Sequence, residues 1–593
     1  MRSVNTALMV VRSAGALAVG FGFASSAVAD TIRCMALSGT QAAALPAGVR
    51  YGSLDQPSIG ADGTILFRGS LQIGQGGVTN ASDSAIWLAR AGGPTSVVAR
   101  EGSSTGGTPA GAIYVEFGHP GLDPLTDSAA FWARLQGSGI GPTNDRAIFR
   151  YLNGSNQLHM QCGSMNFGVA EGPISNLDDF RDHPTVHFGG QPTLRANLVT
   201  GPGGVPVDQA AGIWSPDVSG DVIVIAQQGS AAPEMPPGVV FEGNFSTPVM
   251  SRRGDVGYRA NLRRGVGGVD ATNDLGIWVW IPAESVGYWI ARTNQPLGHG
   301  DVADAVLETI GEPVITGEPR LGFHATMRIG VAGITATNDE GLFTRCPCGS
   351  VFLYAREGQQ AQGLPDGTVY NTFSDPIFSE DGRMMFASTL RGTQVHAGND
   401  TSVWWSDSTV NYVMAAREGS LAPGGDGATF AHIDFAAPDF WIGSTLANQL
   451  AFSATLSSGV RGVWSMTPGR GVRCVVKEGD SVEVGAGDIR QIISITPWTE
   501  GTAHSGRRTP LSNDGHVAFH ATVTGGATGI FLATLPPPII GCSSDWNNDA
   551  FINSQDFFDF IGDFFSGAAD VNTSGFTDSQ DLFDFLTAFF SGC

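Results

Sequence analysis

The sequence predicts an all-β chain of eight repeated sheets, followed by a small α-helical module. Three observations carry this. First, a pattern of large apolar, any, small, any, large apolar occurs eight times. It reads Phe67-Arg-Gly-Ser-Leu71, Phe131-Trp-Ala-Arg-Leu135, Leu194-Arg-Ala-Asn-Leu198 and Tyr258-Arg-Ala-Asn-Leu262, then Phe323-His-Ala-Thr-Met327, Phe386-Ala-Ser-Thr-Leu390, Phe452-Ser-Ala-Thr-Leu456 and Phe519-His-Ala-Thr-Val523. The steps between first positions are 64, 63, 64, 65, 63, 66 and 67 residues. Second, an aromatic follows each copy in register: Trp87, Phe149, Trp214, Trp278, Phe343, Trp404, Trp464 and Phe531. Two landmarks moving together at one period mark a repeated supersecondary unit. Third, the last repeat lacks one strand, and the start of the chain supplies a match for it.

The unit from Gly48 to Gly102 shows the layout. Strand A covers Val49–Leu54, and Gly60-Ala-Asp-Gly63 turns into strand B, Thr64–Leu71. A Gly-rich loop leads to strand C, Ser84–Ala89, and Gly92-Gly93-Pro94 to strand D, Ser96–Arg100. β-rich runs bounded by Gly, Pro, Asn and Asp predict four meandering antiparallel strands. In a strand, positions i, i+2 and i+4 share a face, so each copy shows large, small, large to one side, as closely stacked sheets need. Strand D often ends in a charged pair and a glycine, as in Arg100-Glu101-Gly102, Arg356-Glu357-Gly358, Arg417-Glu418-Gly419 and Lys477-Glu478-Gly479. Adjacent residues alternate faces, so these pairs are expected to dress an outer edge.

The eighth unit has no strand D: Gly529–Ala533 runs directly into Pro536-Pro537-Pro538. The segment from Thr31 to Gly39 matches Val472–Gly479 of the seventh unit. An N-terminal strand that completes the last sheet closes a ring and removes its exposed edge. Residues 30–535 are therefore expected to form an eight-bladed β-propeller, with seven blades the alternative.

Residues 1–29 read as a secretory signal peptide: Arg2 and Arg12, the apolar run Ala14–Ala24, and the cleavage site Ala27-Val28-Ala29. The run is too short to span a bilayer, and no later run is long enough either. The expected location is secreted or cell-surface, where disulfides are allowed. Seven cysteines leave at least one unpaired or intermolecular. Cys346-Pro-Cys348 has no second pair to make a zinc site, and a hairpin tip is expected there. A net charge of −23, with Lys477 the single lysine, makes nucleic acid and anionic membranes poor partners.

The strand B copies also resemble secreted bacterial proteins with tandem Asn-x-x-Gly-x-x-Ala-Phe repeats. The best match is Asn513-Asp-Gly-His-Val-Ala-Phe519, with partial matches at Leu450-Ala451-Phe452 and Gly382-Arg-Met-Met-Phe386. This resemblance implies architecture and no activity.

Pro536–Gly541 (residues 536–541) reads as a short stiff linker. Residues 542–593 then hold 11 of the 34 phenylalanines and nine aspartates, with no Lys or Arg. They are a duplication offset by 25 residues: Asp545–Asp556 aligns with Asp570–Asp581. Side-chain oxygens at loop positions 1, 3, 5, 9 and 12, with a backbone carbonyl at 7, fit a calcium loop. The candidate ligands are Asp545, Asn547, Asp549, Phe551, Asn553 and Asp556 in the first loop. In the second they are Asp570, Asn572, Ser574, Phe576, Asp578 and Asp581. Two calcium ions are expected. Position 6 is Gly575 in the second loop but Ala550 in the first. After each loop, Phe557, Phe558, Phe560, Ile561, Phe564 and Phe565 recur as Leu582, Phe583, Phe585, Leu586, Phe589 and Phe590, a preserved helical face.

Two loop–helix units with Asp at position 12 resemble a dockerin, and the flanking Cys542 and Gly592-Cys593 resemble Gly-Cys-ending dockerin-like modules of secreted bacterial proteins. That resemblance implies a cohesin-like or other extracellular protein partner, held through Ser554, Gln555, Ser579 and Gln580 and the following helices. Cys542 and Cys593 bracket the duplication. A disulfide between them is expected, because pseudo-two-fold packing brings such termini together.

The propeller carries no recognisable catalytic motif: no His-Glu-x-x-His, no Gly-x-Ser-x-Gly, no phosphate-cradling loop before a helix. His324 and His520 share one repeat position, and His516 with His520 lacks a partner to complete a metal set. Asn-Asp recurs between strands B and C, at Asn144-Asp145, Asn273-Asp274, Asn338-Asp339 and Asn399-Asp400. Its fixed offset favours a local Asx turn over a ring of ligands. The functional expectation is a secreted, non-catalytic recognition or scaffold propeller, with a possible glycan ligand, attached to an assembly or surface by the calcium module. The rivals are a polysaccharide-degrading hydrolase or lyase with a propeller catalytic domain, and a purely structural surface protein.

Overall fold

The computed structural model describes residues 32–106, 110–163, 173–182, 184–298, 302–316, 321–345, 351–378, 382–406, 412–433, 442–444, 449–468, 470–496, 509–537, 544–547, 552, 554–569, 571 and 577–591. The signal-peptide expectation at 1–29, the Cys346/Cys348 tip and the Cys542–Cys593 disulfide lie outside these residues. Cys34, Cys162 and Cys474 are thiols.

Each large-x-small-x-large copy lies on a strand next to the strand carrying its aromatic. The two landmarks are direct cross-strand partners in every blade: Phe67 faces Trp87, Phe131 faces Phe149, Leu194 faces Trp214 and Tyr258 faces Trp278. Phe323 faces Phe343, Phe386 faces Trp404, Phe452 faces Trp464 and Phe519 faces Phe531. In six blades the two rings stack, as Phe67 does on Trp87 at 5.5 Å and 17°. Tyr51 of the preceding strand meets Trp87 edge-on at 5.1 Å. Such pairs add to area burial by about 0.5–1.5 kcal/mol each. The third position of the first blade is glycine because the neighbouring strand crowds it: a Cβ on Gly69 would sit 2.9 Å from Ser53 O and 3.0 Å from Leu54 Cδ2.

Eight sheets result. The first blade runs Tyr51–Leu54 with Ser58–Ile59, then Ile65–Leu71, Ser84–Ala89 and Ser96–Arg100, all antiparallel. The expected strand A, Val49–Leu54, forms as Tyr51–Leu54, and a second, unexpected piece, Ser58–Ile59, follows Pro57, which has no N–H for the ladder. The short second pieces touch one another from blade to blade, Ser58–Ile59 against Gly121–Leu122, that against Thr185–His187, and onward to Ile442–Ser444. These pieces line the axis.

Ring closure follows the expected route. Ile32–Leu37 pairs antiparallel with Thr528–Thr534 as the outer strand of the eighth blade. Every other outer strand carries a bulge opposite its aromatic, as between Ile86 and Trp87, and the closing strand carries its own between Cys34 and Ala36. A second hydrogen bond then repeats around the ring. A residue just beyond each outer strand donates its N–H to the start of the next blade, as Gly102 does to Tyr114 O (2.8 Å) and Gly479 to Ile492 O (2.8 Å). Across the junction, Gly39 donates to Tyr51 O at 2.8 Å. Gly39 has φ 80°, a left-handed turn that suits glycine. The buried side chains form eight apolar clusters in the propeller, one between each pair of adjoining blades. An open row of eight sheets would have seven.

The charged ends of strand D do not dress an outer edge. Glu357 and Glu418 are 6% and 5% exposed. Glu357 accepts the Asp339 N–H (3.2 Å) and Arg391 Nη1 (2.5 Å) from the next blade. Glu418 accepts the Ile433 N–H at 3.0 Å, again from the next blade. The chain bends over at the following glycine, which turns the glutamate inward as a staple between blades.

At the C-terminus, helices run Ser554–Ser566 and Ser579–Ser591, after each predicted loop. Phe560 stacks on Phe585 at 3.9 Å and 1°, and Trp546 meets both rings edge-on. Phe560 and Phe585 are equivalent in the duplication, so the core of the module is built on its own repeat. Among the described residues no helix is long and apolar enough to cross a membrane.

Candidate functional site

A regular repeat constrains every blade alike, so a site is sought where the repeat is broken. In the first, second, fifth and sixth blades, six steps separate the first strand's large residue from its proline: Tyr51 to Pro57, Tyr114 to Pro120, Leu307 to Pro313, Tyr370 to Pro376. The third, fourth, seventh and eighth blades depart, and the departing residues of the last two (434–441 and 497–508) lie outside the described ones. In the third, a short helix, Asp178–Asp182, stands between Ile174–Asn176 and Thr185–His187. In the fourth, Phe241 to Pro248 holds one residue more. That residue is absorbed at Gly243, whose φ of 100° and Gln228 neighbour leave no room for a Cβ.

Two clefts lie at these departures. One, of ≈ 490 Å³, is lined by Asn176, Asp179, Asp182, Arg195, Asn197 and Asn244 among others. The other, of ≈ 560 Å³, is lined by Asp208, Glu242, Asn244, Asn261, Arg263, Arg264 and Asp274. Asn244 lines both, so they adjoin. Both volumes fall in the range small ligands occupy, roughly 300–1,000 Å³.

The charges in the clefts are already paired. Arg195 Nη2 meets Asp179 Oδ1 at 2.5 Å, and its Nη1 donates to Phe245 O at 2.6 Å. Arg263 bridges Glu242 and Asp208 at 3.1 Å each. Arg264 meets Asp274 at 2.7 Å, and Asp182 lies 3.9 Å from Arg181. Exposed pairs like these contribute little to stability, so their effect is to fix side-chain positions. The amides of Asn197, Asn244 and Asn261, by contrast, make no side-chain hydrogen bond among the described residues. Each offers two donors and an acceptor. Asn197 and Asn261 occupy the same position of successive strand B copies, and Asn244 is exposed in the stretch that holds the extra residue.

The sequence-level candidates resolve as follows. The Asn of the Asn-Asp pairs closes the B–C loop: Asn144 Oδ1 accepts the Gly141 N–H at 2.7 Å, and Asn399 Oδ1 the His396 N–H at 2.8 Å. The asparagine satisfies local backbone, as expected, but by reaching back three residues and not forward two as in the expected Asx turn. The histidines stay apart: His324 meets Glu340 (2.9 Å), His520 meets Thr496 (2.9 Å) and His516 meets Asp514 (3.2 Å). Among the described residues no three His, Cys, Asp or Glu side chains converge to hold a metal. The pairing of Asp123 with His187, which no motif announced, is a turn staple. Both are buried, and Asp123 accepts Gly189 and Gly190 N–H at 2.6 and 2.9 Å. Burial pushes its carboxyl up, but His187 and the backbone donors outweigh this and hold it below the usual range.

Of the calcium-loop candidates, Asp549, Phe551, Asn553, Asp570, Asn572, Ser574 and Phe576 lie outside the described residues. Asp556 and Asp581, position 12 of each loop, are fully buried. Asp581 accepts the Val571 and Asp578 N–H at 2.9 and 2.8 Å, and Asp556 receives the Asn547 N–H at 3.4 Å. Residues 542–593 contain no Lys, Arg or His to neutralise two buried carboxylates. Burying an ionised carboxylate without a countercharge is costly, so the donor set fits a hard divalent cation. Ser554, Gln555, Ser579 and Gln580 are exposed at the helix starts. Gln555 and Gln580 donate equivalently to Asp559 (2.7 Å) and Asp584 (2.8 Å).

A family of unknown function, DUF7453, matches residues 16–297 and again 268–540. The chain belongs to the DUF7453 family. The two matches begin four blades apart, so one family unit spans about half the ring of this DUF7453 protein. Asn513 stands two residues before Gly515, where the Asn-x-x-Gly-x-x-Ala-Phe repeat needs three. No curated protein sequence matches the chain. Among solved structures, the chain is similar to an oligogalacturonate lyase from Vibrio parahaemolyticus at TM-score 0.32 and 12% identity, covering 72% of this chain and 98% of that one. A periplasmic gluconolactonase from Pseudomonas aeruginosa gives TM-score 0.26 and 13% identity over 75% and 99%. A six-bladed fucose-binding lectin from Aleuria aurantia gives 0.23 and 10% over 72% and 95%. At these scores none bears on activity.

Proposed function

We propose that this DUF7453 protein is a secreted, non-catalytic recognition propeller that binds a glycan in the paired clefts. A calcium-dependent, dockerin-like module would attach it to an extracellular partner. The observation that carries the reading is the contrast within the clefts: carboxylates and guanidiniums are tied to one another, while three carboxamides stand uncommitted. Carboxamides in fixed positions match vicinal hydroxyls, which each donate and accept. Hydrolysis of a glycosidic bond needs two carboxyl groups available at a set separation. Here Arg195 holds Asp179, Arg263 holds Asp208 and Glu242, and Arg264 holds Asp274, so these carboxylates are spent on ion pairs.

In the C-terminal module, Asp545, Asn547, Asp556, Asp578 and Asp581 would hold calcium together with the remaining loop ligands. The bound ion would supply the positive charge that the two buried aspartates lack. Asp556 and Asp581 would link each loop to the helix behind it. Gln555 and Gln580 would present equivalent surfaces to the partner.

The test is a polysaccharide panel with the full mature chain, scored for both binding and product release. Binding without turnover is expected. Turnover abolished by one Asp or Glu substitution would overturn the proposal.

A further inference from the structure

We infer that the two clefts of the third and fourth blades form one extended site for a neutral oligosaccharide, with Asn244 at the junction. The inference rests on the glycan-binding reading above and adds the ligand's charge and reach.

Reach follows from geometry. Asn197 belongs to the first cleft and Asn261 to the second, and Asn244 lines both. A ligand confined to one cleft would meet Asn244 and one other free amide. A ligand crossing the junction meets all three. Neither cleft has an aromatic side chain among its lining residues. Among the described lining residues, then, no ring is placed to stack on a sugar face, and affinity accumulates through hydrogen bonds along several residues.

Charge follows from the ion pairs. A uronate, sulfate or phosphate is held by an arginine fork or a lysine. Arg195, Arg263 and Arg264 are each engaged by a carboxylate within the clefts. The lining acids outnumber the lining arginines five to three, and the chain as a whole carries −23. An anionic glycan would have to break an existing pair and enter against this field. A cationic glycan gains little locally, because the same carboxylates are already neutralised. Neutral hydroxyls meet the free amides with no pair broken.

The experiment is isothermal titration of the full mature chain with hexamers and trimers of mannose, glucose and xylose, with hexagalacturonate, and with a glucosamine hexamer. At least one neutral hexamer should bind, and its trimer should bind more weakly. Asn244→Ala should weaken the hexamer by about tenfold, the effect of one or two lost hydrogen bonds, with melting temperature unchanged. It should also reduce the advantage of hexamer over trimer. Asn261→Ala should weaken the hexamer with the same unchanged melting temperature. Preferred binding of hexagalacturonate or the glucosamine hexamer, weakened by Asn244→Ala, would overturn the neutral assignment and leave the glycan reading standing. Glycan binding indifferent to both substitutions would overturn the cleft. No binding by any probe would remove the glycan reading, and this inference with it.

Discussion

The N-terminal strand Ile32–Leu37 should determine whether the ring holds. Its alternate residues serve two interfaces. Leu37, 3% exposed, packs with Val475, Val482, Ile492 and Phe531 between the seventh and eighth blades. Ala36, 5% exposed, packs with Tyr51, Ala518 and Leu532 between the eighth and first. Leu37→Ala should cost about 2–5 kcal/mol, since it leaves a cavity where two sheets meet. At about 2.1 cal/mol/K per residue, a ring of about 500 residues has an unfolding entropy of about 1 kcal/mol/K. The substitution therefore moves the melting temperature by only about 2–5 °C. Deleting residues 32–37 is the sharper perturbation. It removes Leu37 burial and several ladder hydrogen bonds of about 1 kcal/mol each, a loss of order 5–10 kcal/mol. It also bares the edge Thr528–Thr534 for intermolecular pairing. The assay is urea unfolding followed by tryptophan fluorescence, with light scattering to detect association. A peptide spanning residues 30–39, added in trans, should restore part of the loss. A deletion variant that stays monomeric with an unchanged urea midpoint would refute the closure argument.

Further outcomes can be checked separately. Burial, and then the neighbouring Asp83 carboxylate, push the Glu101 carboxyl from 4.5 up to about 7. Folding then favours its protonated form, so this stabilisation is complete below about pH 4.5 and is lost as pH rises through 7. Glu101→Gln should raise the melting temperature above pH 7 and leave it unchanged near pH 4. A pH-independent difference would contradict this. Calcium chelation should melt the C-terminal helices and spare the propeller, seen as a second transition that Asp581→Ala abolishes. A single transition unaffected by chelator would count against the calcium site. Non-reducing peptide mapping should join Cys542 to Cys593, a clasp of about 4 kcal/mol for a loop of about fifty residues. Cys593 recovered as a thiol, or joined to Cys34, Cys162 or Cys474, would rule the clasp out.

The sequence by itself determined the repeat, its number and its closure. Those properties are written in cross-strand packing, which needs a large residue, a small one and a ring at fixed offsets in every blade. Phe67 and Trp87 are 20 residues apart in sequence and direct neighbours in the sheet, so their periodicity is a contact seen in one dimension. The same holds for Cys34 in the closing strand, which aligns with Cys474 because both occupy one strand position. Tertiary structure alone decided what the charged residues do. Glu357 and Glu418 look like surface residues beside Arg356 and Arg417. Their burial depends on the next blade bringing Arg391 to Glu357 and the Ile433 N–H to Glu418, a meeting no local pattern encodes. The clefts were equally hidden. One extra residue between Phe241 and Pro248 is visible in the sequence, but that Asn244 shares one cleft with Asn197 and another with Asn261 follows only from how two adjoining sheets pack.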